Sequence, residues 1–234
     1  MHTNTLALVT GANKGIGHEI ARQLAQKGIT VLLDARDAAR GQDACDALAR
    51  LKLDVHFLPL DQTVPASIAS AAAYIQTRFH RLDILINNAA IMLDKGPEPS
   101  LMSLDILRST LETNLCGAVA VTQALLPLLR QSPAGRIVNV SSCGGQLSVV
   151  NYFSPAYQIS KASLNSFTVL LAHELRSTKI KVNCVCPGWV KTSMGGTAAP
   201  LTAEQGADTP VWLATLPDEG PTGGFFHKRG VMAW

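Results

Sequence analysis

Short runs rich in β-branched and leucine residues alternate along this chain with longer stretches in which apolar residues return at helical spacing. The strand-like runs lie at 5–10, 30–35, 54–59, 83–86, 135–141, 179–186 and near 223–226. Between them, helical periodicity covers 15–27, 38–50, 65–80, 103–130, 155–178 and 203–215. Strand–helix alternation of this kind specifies a parallel sheet with helices on both faces and right-handed crossovers. No linker, repeat or low-complexity segment interrupts it, so residues 1–234 read as one domain. The richest loop material is 187–206, which carries Gly188, Gly195, Gly196 and Pro200. A loop that long inside a compact domain is usually functional, often a lid.

Composition narrows the function classes. Hydrophobic residues make up 47% of the 234 and charged ones 16%, which excludes a disordered chain. Twenty basic and seventeen acidic side chains give a net charge of +3 with no basic block. That argues against a nucleic-acid or polybasic membrane surface and leaves room for a local anion pocket. No apolar run reaches membrane-spanning length, since Gly117, Gln123 and Pro127 break the longest patches. Cys45, Cys116, Cys143, Cys184 and Cys186 are odd in number and scattered, with no signal peptide ahead of them, so a reduced, cytoplasmic setting is expected. Cys184 and Cys186 lack the spacing of a zinc loop, and the six histidines show no ligand spacing. No metal site is expected.

Two patterns carry chemistry. Leu6-Ala7-Leu8-Val9 runs into Thr10-Gly11-Ala12-Asn13-Lys14-Gly15-Ile16-Gly17, and a helix follows. A glycine-rich turn there lets backbone approach a pyrophosphate, whose charge meets the helix N-terminus. Gly15 and Gly17 would remove the Cβ atoms blocking that approach; the plainer reading is an ordinary βα turn. Further on, Tyr157 and Lys161 stand four apart on a helix and so share a face. A phenol titrates near 10, poorly matched to proton transfer at neutral pH, and an adjacent ammonium should lower it. Taken alone, the pair could equally be a surface Tyr–Lys contact. Ser142 follows the strand at 135–141 on the side where open α/β sheets bind ligands, so its hydroxyl could stabilise a developing alkoxide or merely cap the next loop.

The glycine turn has the spacing G-x-x-x-G-x-G. With Asn87-Asn88-Ala89-Ala90, Asn114, Val138-Asn139-Val140-Ser141-Ser142, Tyr157-x-x-x-Lys161 and Pro187-Gly188-Trp189-Val190-Lys191-Thr192, all in order, the chain resembles the short-chain dehydrogenase/reductase family over nearly its whole length. The likeness is strongest to its NADPH-dependent carbonyl reductases. The resemblance implies a single Rossmann-type, doubly wound parallel α/β sheet of about seven strands. It implies a catalytic set of Asn114, Ser142, Tyr157 and Lys161, with Ser142 chosen over Ser141. Tyr157 would exchange a proton with the substrate oxygen while the nicotinamide exchanges hydride, and Asn114 would hold a water relaying protons to Lys161. The separation of Ser142 and Tyr157 is about two residues longer than usual in the family.

By the same likeness, NADPH or NADP+ would lie against Gly11, Asn13, Lys14, Gly15, Ile16 and Gly17. Asp61, Gln62, Asn88 and Ala89 would line its adenosine side, and Pro187, Gly188, Val190 and Thr192 its nicotinamide side, along with Tyr157 and Lys161. Leu147, Phe153, Trp189 and Met194 would wall the substrate pocket beside Ser142 and Tyr157. After the second strand the chain reads Leu33-Asp34-Ala35-Arg36-Asp37. Ala35 replaces the acid that NAD-selective members use on the ribose, while Arg36 and Lys14 are placed for a 2′-phosphate, so NADPH is expected over NADH. Alternation should turn the Asp34 carboxylate away from the ribose. The expected activity is reversible reduction of a small-molecule ketone or aldehyde by a homodimer or homotetramer, paired through the helices at 103–130 and 155–178. The alternatives are an NAD-dependent secondary-alcohol or hydroxysteroid dehydrogenase, and a noncatalytic dinucleotide sensor on the same fold.

Overall fold

The computed structural model describes residues 5–94, 96, 98–148 and 154–234. In chain order its main elements are β1 (Leu6–Val9), α1 (Gly15–Gln26), β2 (Thr30–Ala35), α2 (Ala38–Ala49), β3 (Val55–Pro59), α3 (Pro65–Phe79) and β4 (Ile84–Asn87). There follow α4 (Leu104–Leu111), α5 (Ala118–Leu129), β5 (Arg136–Val140), α6 (Pro155–Glu174), β6 (Lys181–Val185), α7 (Ala203–Ala214), β7 (Phe225–His227) and β8 (Gly230–Met232). The strands form one sheet in the order β3-β2-β1-β4-β5-β6-β7-β8. All neighbours pair parallel except β7 and β8.

Strand order reverses between β1 and β4. The chain runs outward from β1 through β2 to β3, then returns to start the other half at β4. Loops leaving the carboxyl ends of β1 and β4 diverge to opposite faces, and a crevice opens between them. β1, β2, β4 and β5 are buried at every position, as strands covered on both faces must be. One core layer joins α1, α2 and α7 to the sheet through Ile20, Leu24, Leu48 and Val211. The other joins α3, α5 and α6 through Ile75, Leu125, Leu129 and Leu171. Most of the apolar surplus seen on the helices at 103–130 and 155–178 is therefore used in this second core. Leu128 is buried as well and Leu126 packs against the same cluster, while Val169 and Leu170 face outward.

The sheet has eight strands rather than about seven. β8 is three residues long and pairs antiparallel with β7. The tight turn between them puts Lys228 and Arg229 at φ +49° and +61°. Two left-handed residues in a row suit a hairpin, but the usual signal is Asn-Gly or Asp-Gly, so the turn was hidden behind a Lys-Arg pair. The long helix at 103–130 also differs from expectation: a π turn at Glu112–Gly117 separates α4 from α5. The loop at 187–206 is tied down. Val190 bridges to Leu201, and the Lys191 N–H donates to the Leu201 carbonyl at 2.8 Å. Among the described residues no helix is long and apolar enough to cross a membrane.

Candidate active site

The turn after β1 is built by polar side chains that hold backbone open. Gly11 and Gly15 adopt φ of +62° and +60°, a region that favours glycine. The Asn88 amide donates to the carbonyls of Thr10 (2.8 Å) and Gly11 (3.2 Å). A Cβ on Gly17 would overlap that amide. Gly17 is thus required by the Asn88 clamp. The Thr10 hydroxyl accepts from both Asn88 N–H and Ala89 N–H at 3.0 Å, which fixes the turn to the end of β4. No side chain caps α1 and no acid lies in its first turn, so its leading N–H groups and positive dipole end remain open to an anion.

Beside this turn lies a cavity of about 380 Å³, lined by the whole glycine turn from Asn13 to Gly17 and by Gly11. Arg36 and Lys14 border it as exposed cations. Asp37 does not neutralise Arg36: it caps α2, accepting from Arg40 N–H at 3.1 Å, and pairs with the Arg40 side chain. Asp34 departs from expectation. Its carboxylate turns toward the cavity, where Oδ2 accepts from Gly11 N–H at 3.0 Å. The last pleat of β2 faces the start of the glycine turn, whose free N–H groups need acceptors; the Asp34 carbonyl takes the next, from Ala12, at 2.7 Å. Burial pushes this carboxyl up to about 7, against its hydrogen bond from Gly11.

Asp61 and Gln62 line the same cavity. Asp61 folds back on its own loop, accepting from the Thr63 N–H (2.9 Å) and hydroxyl (2.7 Å). Gln62 is buried and donates to the carbonyls of Thr113 (2.7 Å) and Ala89 (3.3 Å). Gln62 Oε1 is a buried oxygen with no hydrogen-bond partner among the described residues. A glycine-lined cavity at a switch point, beside an uncapped helix and two cations, fits a phosphorylated dinucleotide.

Tyr157 and Lys161 project from α6 into this cavity. Lys161 is buried; its Nζ lies 5.5 Å from the centre of the Tyr157 ring and donates to the Val140 carbonyl at 2.8 Å. Burial lowers the ammonium to about 8. The Tyr157 phenol is raised by burial to about 12, although a hydrogen bond with Ser142 works the other way. The expected depression by Lys161 is therefore reversed in the chain alone: desolvation disfavours both charged forms. Ser142 Oγ also accepts from Gly144 N–H at 3.1 Å, while Ser141 is buried and donates to the Lys161 carbonyl. Of the two serines, Ser142 is the half-buried one, and Ser141 the buried one.

Asn114 sits inside the π turn, a helix irregularity often found at functional sites. Its Oδ1 accepts from Ile91 N–H and its Nδ2 donates to the Ile91 carbonyl, both at 2.8 Å. Nδ2 also donates to Ser160 Oγ at 3.0 Å, and Ser160 in turn donates to the Tyr157 carbonyl at 2.7 Å. Asn114 thus links the loop after β4 to the turn of α6 that carries Tyr157.

A second cavity of about 570 Å³ adjoins the first. Ser142, Gly188, Val190 and Trp189 line it, while Tyr157, Pro187, Thr192 and Met194 border both. Gly188 and Val190 thus lie on the second cavity, next to the Pro187 and Thr192 that border both. Trp189 is anchored by a bond from Nε1 to the Gly195 carbonyl at 2.8 Å. Leu147 lines neither cavity and is 83% exposed, so it is no pocket wall. Its polar, glycine-rich turn leaves it outside the sheet's carboxyl edge. Phe153 lies outside the described residues.

Two features were missed. Asp94, in the loop after β4, is buried; Oδ2 accepts from Ala156 N–H and its carbonyl from Ser154 Oγ, both at 2.6 Å. It caps α6 one residue before Tyr157, a task that Ser154 does not perform with its own side chain. The contact spans 62 residues, so no local pattern announces it. The second is a disulfide between Cys143 and Cys186, which leaves Cys45, Cys116 and Cys184 free. The scatter of the five cysteines along the chain gave no hint of this pair: β5 and β6 are neighbours, and their ends bring residues 43 apart together.

Comparison with known proteins agrees with this geometry. A family model described as short chain dehydrogenase matches residues 5–201. (+)-Neomenthol dehydrogenase of Arabidopsis thaliana is 36% identical, with 98% of each chain covered. Carbonyl reductase [NADPH] 1 of Sus scrofa is also 36% identical, covering 100% of this chain and 96% of that one. These alignments run over 292 and 283 positions, more than the 234 residues here, so they are bridged by gaps in this chain. The crystal structure of NADPH-bound carbonyl reductase from chicken fatty liver superposes with a TM-score of 0.89 at 30% identity, covering 99% of both chains.

Proposed function

The chain belongs to the short-chain dehydrogenase family, and from that premise we propose that it reduces a ketone or aldehyde to an alcohol with NADPH, Tyr157 supplying the proton. One observation carries the reading: Tyr157 borders both cavities, the glycine-lined one suited to a dinucleotide and the more apolar one suited to a carbonyl compound. When bound, the reduced nicotinamide supplies hydride to the carbonyl carbon.

The chain's own residues do the rest. The α1 N-terminus and the Asn88-clamped turn hold the pyrophosphate, and Arg36 with Lys14 holds the 2′-phosphate. Ser142 directs the substrate oxygen toward Tyr157. A phenol held at about 12 remains protonated at neutral pH, the state a proton donor needs, so the resting site is poised for reduction. Lys161, fixed on the Val140 carbonyl, stands ready to stabilise the phenolate left behind. Asn114 keeps that turn of α6 in register through Ser160.

Asp34 favours a second reading, in which NADH is preferred, because its carboxylate reaches the cavity. Its raised titration leaves the group largely uncharged below neutrality, which weakens repulsion of a phosphate. Steady-state oxidation of both coenzymes against an activated ketone decides between them. A kcat/KM at least about tenfold higher with NADPH is expected. Preference for NADH would assign selection to Asp34, and tight NADPH binding without turnover of any ketone would leave a dinucleotide sensor.

A further inference from the structure

We propose that Cys143 and Cys186 form a reversible dithiol–disulfide pair, a redox modification site whose closure sets the substrate-side cavity. The proposal concerns regulation of the site and rests on the reductase reading only for its kinetic arm. The pair occupies a particular place in the fold. Cys143 directly follows Ser142, and Cys186 directly precedes the Pro187-Gly188 turn. Their Cα atoms are 5.5 Å apart, within the ordinary reach of a disulfide. Both border the cavity that also holds Ser142, Tyr157 and Trp189.

The surroundings suit exchange rather than permanent stapling. The other three cysteines are free, so the chain is not organised around structural disulfides. A lone disulfide beside an active site, in a domain whose core is already large, matches the redox-sensing use of cysteines more than the structural one. Cys143 is half-buried and opens on the cavity, whereas Cys186 is 1% exposed. The Cys143 N–H donates to Cys186 Sγ at 3.0 Å, a contact that stabilises a thiolate there once the bond is opened. The two cysteines therefore have different parts, Cys143 meeting the oxidant and Cys186 resolving.

With glutathione disulfide as oxidant the step balances. The Cys143 thiol loses its proton and attacks one glutathione sulfur, giving a mixed disulfide and releasing one glutathione, which takes up a proton. The Cys186 thiolate then attacks the Cys143 sulfur and displaces the second glutathione, protonated in turn. Two thiols are oxidised to one disulfide, and glutathione disulfide is reduced to two thiols. Reversal needs only excess reduced glutathione or dithiothreitol.

Opening the bond has a mechanical consequence. Unbonded sulfurs retreat to van der Waals contact, and with the covalent link between the Ser142 loop and the Pro187 turn gone the two are free to shift by on the order of 1 Å. The closed form is the one in which Ser142 is hydrogen-bonded to Tyr157. Displacement of that order at a reacting group is enough to slow a positioned proton transfer. The oxidised enzyme is thus the more active one.

The test has two arms. The folded full-length protein is equilibrated with glutathione disulfide or with dithiothreitol, free thiols are trapped with iodoacetamide, and peptides are mapped by mass spectrometry. We expect a 143–186 linkage that forms and opens reversibly while Cys45 and Cys184 stay unlinked. Recovery of only glutathionylated or fully free Cys143 and Cys186 under the oxidising condition would overturn the proposal. In the second arm, kcat/KM for ketone reduction should fall at least about threefold on reduction and recover on reoxidation. Cys143→Ser and Cys186→Ser should each be indifferent to redox poise. A parent whose linkage opens with no kinetic change, or a Cys143→Ser variant that still responds, would also overturn it. If no ketone is turned over in either state, the reductase reading fails while the peptide map still decides the pair.

Discussion

The two cavities that meet at Tyr157 are made in different ways. The side proposed for the dinucleotide is backbone held in place by polar side chains: Asn88 on the carbonyls of Thr10 and Gly11, Asp34 on the N–H of Gly11, and Gln62 on Thr113. Behind it, Asn87 joins Thr122 and Asn139 across β4 and β5, and Asn139 joins Thr168 on α6. The substrate side is made of loop side chains: Ser142, the Cys143–Cys186 pair, a half-exposed Trp189 and Met194. One side is fixed by hydrogen bonds that tie separate strands and turns together, the other by packing, hydrogen bonds within its own loops and one covalent bond. A ligand common to many reactions can be met by invariant backbone, whereas a variable substrate is met by loops that differ in length and contact.

That contrast can be tested from either side. Among changes confined to one cavity, Arg36→Ala should have the largest effect, because on the proposed reading it removes a charge-assisted contact to the 2′-phosphate on an otherwise intact cavity. We expect kcat/KM with NADPH to drop by about 10- to 100-fold, with NADH changed less than about threefold. Equal losses with both coenzymes would show Arg36 to be structural.

Asp94→Ala acts at the seam. Losing the cap of α6 should cost about 1–2 kcal/mol, seen as a Tm lower by roughly 2–8 °C. Turnover should fall several-fold while coenzyme Kd holds, because the first turn of α6 carries Tyr157 but not the glycine turn. A shifted Kd with unchanged kcat would contradict the cap's role in positioning.

Asp34 should give the smallest effect, one that shows only across pH. Its carboxyl is raised to about 7 from an ordinary value near 3.8. The proton is thus bound more tightly in the folded protein. The corresponding stability is fully present below about pH 4 and is lost as pH rises through about 7. Ionisation also places a negative charge beside the phosphate site. Between about pH 6 and 8, the parent should lose NADPH affinity more steeply than Asp34→Asn. The phosphate's own titration is common to both proteins, so parallel slopes would remove Asp34 from coenzyme selection.

The same contrast explains what could be read from the residues alone. The glycine turn, Asn88, Tyr157 and Lys161 were legible because each is specified by short spacing next to a strong strand or helix. β1, β2, β4 and β5 were legible because strands buried on both faces are dominated by β-branched and leucine residues. Asp34 was misjudged because alternation predicts a side for the side chain, while the unpaired N–H of Gly11 decides where a carboxylate settles. Asp94 and the cysteine pair depend on contacts between residues 62 and 43 apart, which no local pattern encodes. β8 was hidden by a Lys-Arg turn, and Leu147 was assigned to a pocket from its neighbourhood in sequence though its side chain is exposed.

Tyr157→Phe isolates the phenol hydroxyl where the two cavities meet, since only that group is lost and the ring still packs on Lys161. NADPH Kd and ketone turnover should be measured on the same preparation of that variant and of the parent. Kd should stay within about twofold, while kcat falls by about 10²- to 10⁴-fold. Near-parental turnover, or loss of activity that merely follows loss of NADPH binding, would contradict the assignment of Tyr157 as the proton donor.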